Sequence, residues 1–568
     1  MERWIRRALL HPQIQSSWTL IAAAVIIVGI CYANSLPNGF VLDDYPIVAV
    51  NPAIRAISPF QFLKTPYWGA MSNSGIYRPL TIFSFSLEYP LWHHWAGGYR
   101  FTNLLLHSIN GVLVFLVSRS ILQSVPAAAA ASTVYLIHPV HTEPVVGLAG
   151  RSELLATLFF LLAWIFFRQK RTGWCAGAFF LSLLSKENAI VFPAVMVLDG
   201  FCTAGAVISM GSALSRLRFA SMGSALSRFA ERAYRNRFAA VIGVAVVYLV
   251  LRILVLGGLG VPKTIQYLDG TLTLAERELT SGRAFLKYFQ LLIAPVDVTG
   301  DYDFNSIPVA TWDDWIAWSG LFVVGAMIAG AFWIRKKQPA VAFAGLLFFV
   351  TMLPTSNWIM PTSIIMSERA LYLPSLSICL IAGLIWTKVR QPQVRTLLAV
   401  GVLALAALLC IAHNYVWRDE LTYYANLVRV LPNNLRGRQG YGVALIEAGR
   451  PQDALIQFDE GLKIKRSAPL LVGLSEALIQ LDRGCGRARS VLQEALRVQA
   501  GDPFARWLLG GCFEKEGQMQ EAEAEYRQAV RNTDFPDPKL LADWGRVLEK
   551  TGRSLEAQEA YRRSTLLR

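Results

Sequence analysis

The chain has 568 residues, 54% hydrophobic and only 16% charged, with a mean hydropathy of +0.39. Soluble domains carry about 25% charged residues, so this balance excludes a soluble enzyme and a disordered protein. The net charge of +15 is not a nucleic-acid footprint: residues 416–568 hold 23 basic and 21 acidic side chains, leaving 31 against 18 in the apolar part, where basic loops mark the cytoplasmic face of a membrane protein.

Eleven apolar segments are long enough to be read as membrane spans in a packed bundle. The first, 18–33, follows the basic MERWIRR without a small-x-small cleavage site and reads as a retained signal anchor. The others are 101–117, 125–137, 154–167, 173–185, 189–201, 238–256, 315–334, 340–358, 370–386 and 397–413. With the N-terminus inside, the inner loops collect 19 of the 31 basic residues and only Glu2, Asp199 and Glu231 of the 18 acidic ones, which fixes the orientation by the positive-inside rule. An odd number of spans then puts residues 416–568 outside. The inner loop 201–238 carries the octapeptide SMGSALSR twice, at 209–216 and 221–228, read as a tandem duplication in a tolerant solvated loop.

Seven cysteines, Cys31, Cys175, Cys202, Cys379, Cys410, Cys485 and Cys512, form no CxxC pair and no Cys/His cluster, so neither a zinc site nor a disulfide scaffold is expected. Cys485 and Cys512 lie in the polar tail and would pair if that tail sits in an oxidising compartment; packing thiols are the preferred reading. In the tail, Ala454, Ala488, Ala522 and Ala557 recur at spacings of 34, 34 and 35. Gly442, Gly510 and Gly545 precede them by twelve, Gly449, Gly517 and Gly552 by five, and Phe458, Tyr526 and Tyr561 follow by four. This is the tetratricopeptide spacing. The second repeat is degenerate, with Glu476 at the glycine position and Leu492 at the aromatic one. The expectation is an all-α protein: a polytopic bundle over 1–415 and an extracytoplasmic repeat superhelix over 416–568, whose concave face binds extended peptide.

Ionisable residues near span ends are costly unless they pair or work, and here they gather outside. Asp43 and Asp44 follow the first span; Arg78 lies in YRPLT; His138, His141, Glu143 and Arg151 lie in HPVHTEPVVGLAGR; Lys186 and Glu187 close the fifth span; Glu368 and Arg369 open the tenth. Carboxylates and fixed cations on one rim suit the departure of a lipid-linked phosphate: a carboxylate takes the proton of the attacking hydroxyl, and cations hold the leaving phosphate. Unlike a glycosidase, such a reaction needs no general acid. Each residue also has a plainer reading. The Asp43–Asp44 pair caps the short helix after Pro46; Arg78 and Arg151 are interface anchors; Lys186 and Glu187 pair with each other; His138 and His141 flank Pro139, which spoils a metal-binding helix face, so no metal is expected.

The order of LDDYPIVAVNPAI, YWG, YRPLT, NLLLHSINGVLV, HPVHTEPVVGLAGRSELL, LSKE, MSERALYLPS and WRDELTYY leading into the repeats closely resembles the transmembrane and tetratricopeptide-repeat O-mannosyltransferase family, a branch similar to the C-type membrane glycosyltransferases. The resemblance covers nearly the whole chain. It implies a polyprenyl or dolichyl phosphate sugar donor, mannose favoured, inversion at C1 and Ser/Thr acceptors; the repeats are read as holding the acceptor, and a single-phosphate donor makes a divalent metal less necessary, so no cofactor is expected. It nominates Asp43 as base and Asp44 as its orienting or acceptor-binding neighbour. Arg151, Lys186 and Arg369, then Arg78 and His141, are the phosphate candidates by face and charge, with His138, Glu143, Glu187 and Glu368 as further site candidates. Four repeats and no retrieval signal favour a bacterial inner membrane with a periplasmic tail over an endoplasmic-reticulum membrane with lumenal repeats. Two competing functions are an inactive membrane-anchored scaffold, which leaves the charged rim unexplained, and a flippase, which needs mid-bilayer charges along a path.

Overall fold

The computed structural model describes residues 12–55, 62–64, 67, 75–200, 220–258, 272–359, 361–362, 364–482, 485–533 and 536–567. Among these the secondary structure is helical throughout, apart from one isolated antiparallel bridge between Tyr302 and Met366. The chain forms two compact units, Met1–Asp419 and Glu420–Arg568.

The first unit is a helical bundle of α1 (Pro12–Tyr32), α2 (Pro79–Trp92), α3 (Ala96–Leu122), α4 (Val125–Ile137), α5 (Arg151–Arg168), α6 (Thr172–Ser185), α7 (Ala220–Leu256), α8 (Leu274–Ile293), α9 (Trp315–Ile334), α10 (Pro339–Met352), α11 (Leu376–Lys388) and α12 (Pro392–Val416). Six stretches are long and apolar enough to cross a membrane: Trp18–Ser35, Ala96–Leu122, Leu148–Arg168, Tyr234–Leu256, Trp315–Ile334 and Pro392–Val416. Four shorter apolar helices accompany them, so the protein is a multi-pass membrane protein. Local chemistry sets the starts. Proline stands in the first turn of α2, α4, α10 and α12, where its missing N–H costs no helical bond; Asp314 caps α9 by accepting from Ile316 and Ala317 N–H.

Three expectations need correction. Most of the supposed loop 201–238 that lies within the described residues is helix: α7 begins at Ala220, so the second SMGSALSR copy is helical, while the first lies outside the described residues. The span read at 370–386 starts later, at Leu376, because Glu368–Leu371 forms a tight turn of 3-10 helix. Helix α8 is absent from the sequence reading. It is amphipathic, and its apolar face meets α9 so closely that a Cβ on Gly282 or Gly320 would collide with the opposite backbone.

The second unit opens with α13 (Glu420–Val430) and continues as four helix pairs: α14 (Leu435–Glu447) with α15 (Pro451–Ile464), α16 (Ala468–Asp482) with α17 (Gly486–Val498), α18 (Pro503–Lys515) with α19 (Met519–Arg531), and α20 (Pro538–Lys550) with α21 (Ser554–Leu567). Gly442, Gly510 and Gly545 each lie directly against the ring of Phe458, Tyr526 and Tyr561, where a side chain would have to displace the aromatic. In the second pair Glu476, at the glycine position, is half-buried, while Gly473, Ser475 and Ala477 around it are buried. Cys485 and Cys512 form a disulfide inside a core with Leu471, Leu492 and Leu509. Of the two readings left open for this pair, the bridge replaces the preferred packing thiols: residues 27 apart in sequence are brought together by the helix-pair stacking, which spacing alone does not reveal.

Candidate active site

The segment after α1 is shaped by two adjacent carboxylates that point opposite ways. Asp44 is buried and turns inward, accepting from Val41 N–H at 3.3 Å and Ala149 N–H at 3.1 Å. Burial pushes its carboxyl up to about 7, against the pull of Arg100. Arg100 is itself buried and donates to the carbonyls of Val146 (2.8 Å), Asn38 (2.8 Å) and Gly39 (2.9 Å). Together they fasten the loop to the start of α5. Asp44 precedes the turn of π-helix Tyr45–Ala49 but makes no side-chain cap bond to it. Leu42, just before the pair, has φ +54°, a left-handed backbone that a bulky residue adopts only when its surroundings hold it there. The side chain of Asp43 emerges from this turn 37% exposed.

Asp43 meets a residue 326 positions away. Arg369, in the turn Glu368–Leu371, donates from Nη1 to Asp43 Oδ2 at 3.1 Å. Its backbone N–H donates to Glu143 Oε2 at 2.7 Å, and its Nε lies 3.4 Å from Glu143 Oε1. Burial opposes the charge on Arg369, but Glu143 and Asp43 outweigh it and hold the guanidinium above its ordinary range. Burial raises Glu143 to about 8, with Arg369 pulling the other way. Glu368 points away from this chain: its Oε1 accepts from Thr299 N–H at 2.8 Å and from the Tyr302 hydroxyl at 2.6 Å, and burial raises it to about 7.

Two further pairs stand beside Arg369. Lys186 pairs with Glu153, both buried; burial lowers the Lys186 ammonium and Glu153 counters it. Arg78 grips Glu187 with two donors, Nη2 to Oε1 at 2.6 Å and Nε to Oε2 at 3.0 Å, and lies over the Tyr67 ring at 5.1 Å. Burial raises Glu187, but Arg78 wins and holds it below the usual carboxylate range. Lys186 and Glu187 are therefore not each other's partner. These pairs form one electrostatic cluster: Lys186 feels Glu153, Arg78, Arg369 and Glu187, and Tyr67 feels Arg78, Asp43 and Arg369.

The structure does not bring every expected residue to this cluster's open face. Arg151 is fully buried and its guanidinium is occupied: Nε by Asn103, Nη1 by Glu88 at 2.6 Å and Ser84 at 3.4 Å, and Nη2 by Glu88 at 3.3 Å and the Tyr99 carbonyl at 2.8 Å. That arrangement fastens α2, α3 and α5 and leaves no donor for a phosphate. His141 is buried between the Tyr135 carbonyl and Ser375 Oγ, each at 2.8 Å. His138 lies between the Leu292 carbonyl at 3.0 Å and Val140 N–H at 3.3 Å. Burial lowers both rings, which keeps them neutral. Among the described residues no three His, Cys, Asp or Glu side chains converge as metal ligands. Residues missed by the sequence reading are Glu88, Glu153 and Tyr67. The first two sit inside helices at α2 and the first turn of α5, and the nearby Arg151 is the one signal that charge is accommodated there.

A tetratricopeptide-repeat family model matches residues 474–535. The protein O-mannosyl-transferase F38B6.6 of Caenorhabditis elegans is 26% identical over 451 residues, covering 77% of this chain and 61% of that protein. The protein O-mannosyl-transferases TMTC3 of Mus musculus and Homo sapiens are 25% and 24% identical, each covering 95% of this chain and 63% of the relative. The chain thus spans about three fifths of the length of these curated relatives. Across its membrane bundle and its repeats, the chain is similar to the TMTC protein O-mannosyl-transferases of animals.

Proposed function

We propose that the protein is an inverting membrane glycosyltransferase that moves a sugar, mannose favoured, from a polyprenyl or dolichyl phosphate to Ser/Thr hydroxyls of extracytoplasmic proteins. The observation that carries this reading is the partly exposed Asp43 carboxylate joined to Arg369 at 3.1 Å, with Lys186 and Arg78 in the same electrostatic cluster. Asp43 takes the proton of the acceptor hydroxyl as its oxygen bonds to C1 of the sugar from the side opposite the leaving group. The C1–O bond to phosphate breaks with its electron pair, and Arg369, Lys186 and Arg78 receive the charge that develops on the phosphate. Asp44 orients the loop through its two backbone N–H bonds, and Glu143 fixes the main chain and Nε of Arg369. Arg151 is assigned to the framework.

The outward placement of this rim and of the repeats is part of the proposal. At the start of α9, exposed Trp315 and the preceding exposed Trp312 flank Asp313 and Asp314, and exposed Trp333 stands at its other end before Arg335, Lys336 and Lys337, as expected for a span whose basic end is cytoplasmic. The Cys485–Cys512 disulfide supports an oxidising compartment for the repeat unit, periplasmic or lumenal. There the repeats bind acceptor segments and raise their effective concentration for transfer.

The test is transfer of radiolabelled mannose from polyprenyl-phosphate mannose to a Ser/Thr-rich peptide by the full-length protein, beside Asp43→Asn. Transfer by the parent and a loss of about a thousandfold or more in the variant are expected. A folded Asp43→Asn variant with full activity removes Asp43 as the base; a panel of lipid-phosphate sugars that all fail in the parent removes the enzyme reading in favour of a scaffold.

A further inference from the structure

Glu153 is the buried carboxylate in the cluster for which the reaction above has no use. It sits in the first turn of α5, its side chain only 7% exposed, and it pairs with Lys186, 8% exposed. Arg78 and Arg369 also feel its charge. Arg78 reaches the same turn directly, its Nη1 lying 3.5 Å from Ser152 Oγ. Lys186 thus contacts this buried carboxylate, Arg78 reaches its neighbour Ser152, and Arg369 is acted on by its charge. Of the other three carboxylates on these cations, Asp43 and Glu187 are each about a third exposed, while Glu143 is buried and already holds the main chain of Arg369. Lys186 and Glu153 are enclosed together, neither more than 8% exposed.

We propose that Glu153 is a resident counter-anion, occupying the cationic focus that the phosphate of the lipid donor takes over when it binds. This rests on the reading of Lys186, Arg78 and Arg369 as the phosphate cradle. A lysine buried without an anion loses its proton; Glu153 keeps the ammonium charged while the site is empty. Phosphate entry transfers Lys186 from Glu153 to the ligand, so the carboxylate competes with the ligand and weakens its binding. The same competition helps to expel the phosphate after sugar transfer, when the lipid phosphate has gained charge.

The experiment uses the full-length protein in nanodiscs and farnesyl phosphate as the probe, with farnesol as the uncharged control, and measures dissociation constants for wild type, Glu153→Gln, Glu153→Asp and Lys186→Met. Glu153→Gln is expected to bind farnesyl phosphate at least tenfold more tightly than wild type and farnesol equally, while melting at a lower temperature. A purely structural role predicts lower melting without tighter binding. Glu153→Asp, with a shorter reach to Lys186, is expected to tighten binding severalfold, and it carries the test if Glu153→Gln does not fold. Lys186→Met is expected to lose at least tenfold in affinity. Unchanged or weaker binding in both Glu153 variants, with Lys186→Met weakened, overturns the counter-anion alone. Unchanged binding in Lys186→Met, or no phosphate-dependent binding in any protein, overturns the cradle and the counter-anion with it.

Discussion

The two units use the same ion-pair chemistry in opposite surroundings. In the repeat unit, Arg450–Asp453, Lys463–Glu460 and Arg562–Glu559 join residues three apart on helix faces, with every partner 41–70% exposed. In the membrane unit, Arg151–Glu88 and Lys186–Glu153 join residues from different helices and segments, with no partner above 14%. Exposed pairs are screened by water and contribute little. Buried pairs carry a desolvation cost that their attraction barely offsets, so their presence marks a geometry that apolar packing would not supply. The repeat unit packs glycine against ring and carries a disulfide, with a few less exposed pairs such as Arg506–Glu525 and Glu514–Arg546 joining neighbouring helices, while exposed pairs of the first kind chiefly keep it soluble. The membrane unit places its charges where they orient other charges.

The contrast is broken most strongly at Arg151. Arg151→Leu strands Glu88, Asn103 and the Tyr99 carbonyl together, and a loss of about 3–5 kcal/mol is expected, read as a large fall in melting temperature of the detergent-purified protein. A small fall would show that Arg151 is not the fastening between α2, α3 and α5. Next comes the repeat unit's covalent staple: Cys485→Ser with Cys512→Ser is expected to cost about 3 kcal/mol, from the 27-residue separation, measured by denaturant unfolding with and without reductant. A reductant-insensitive wild type would contradict it. The smallest effect is expected at the exposed Arg466–Glu494 pair, where Arg466→Ala should change stability by less than about 1 kcal/mol; a change as large as that at Arg151 would erase the distinction between the units.

Segments uniformly apolar over a dozen residues or more were legible from composition, since nothing else buries such a surface. Helix α8 was not, because Glu276, Arg277, Glu278, Arg283 and Lys287 dilute its apolar face below what a span demands. The rim was legible because charges beside spans are costly wherever they lie. Their pairing was not: Asp43 and Arg369 are 326 residues apart, and Lys186 chose a carboxylate 33 residues upstream over its own neighbour. Arg151 and Arg369 look alike in sequence, and what separates them is how many guanidinium donors the surrounding helices have already filled. The Cys485–Cys512 bridge was legible only as an option for a related reason, since only the stacking of α16, α17 and α18 brings the two sulfurs together.

The first and last apolar helices are knitted side by side. Asn414 donates to the Cys31 carbonyl at 2.8 Å and to Asn34 Oδ1 at 2.7 Å, Asn38 donates to the Asn414 carbonyl at 2.7 Å, and Gly39 N–H donates to the Arg418 carbonyl at 2.9 Å. The loop bearing Asp43 is thus anchored at one side by residues made almost four hundred positions later. On a ribosome that releases the chain from its N-terminus, α1 enters the membrane long before its partner exists, and the proposed base acquires its final frame only when α12 arrives. Assembly order itself keeps the site unfinished until the whole bundle is in place.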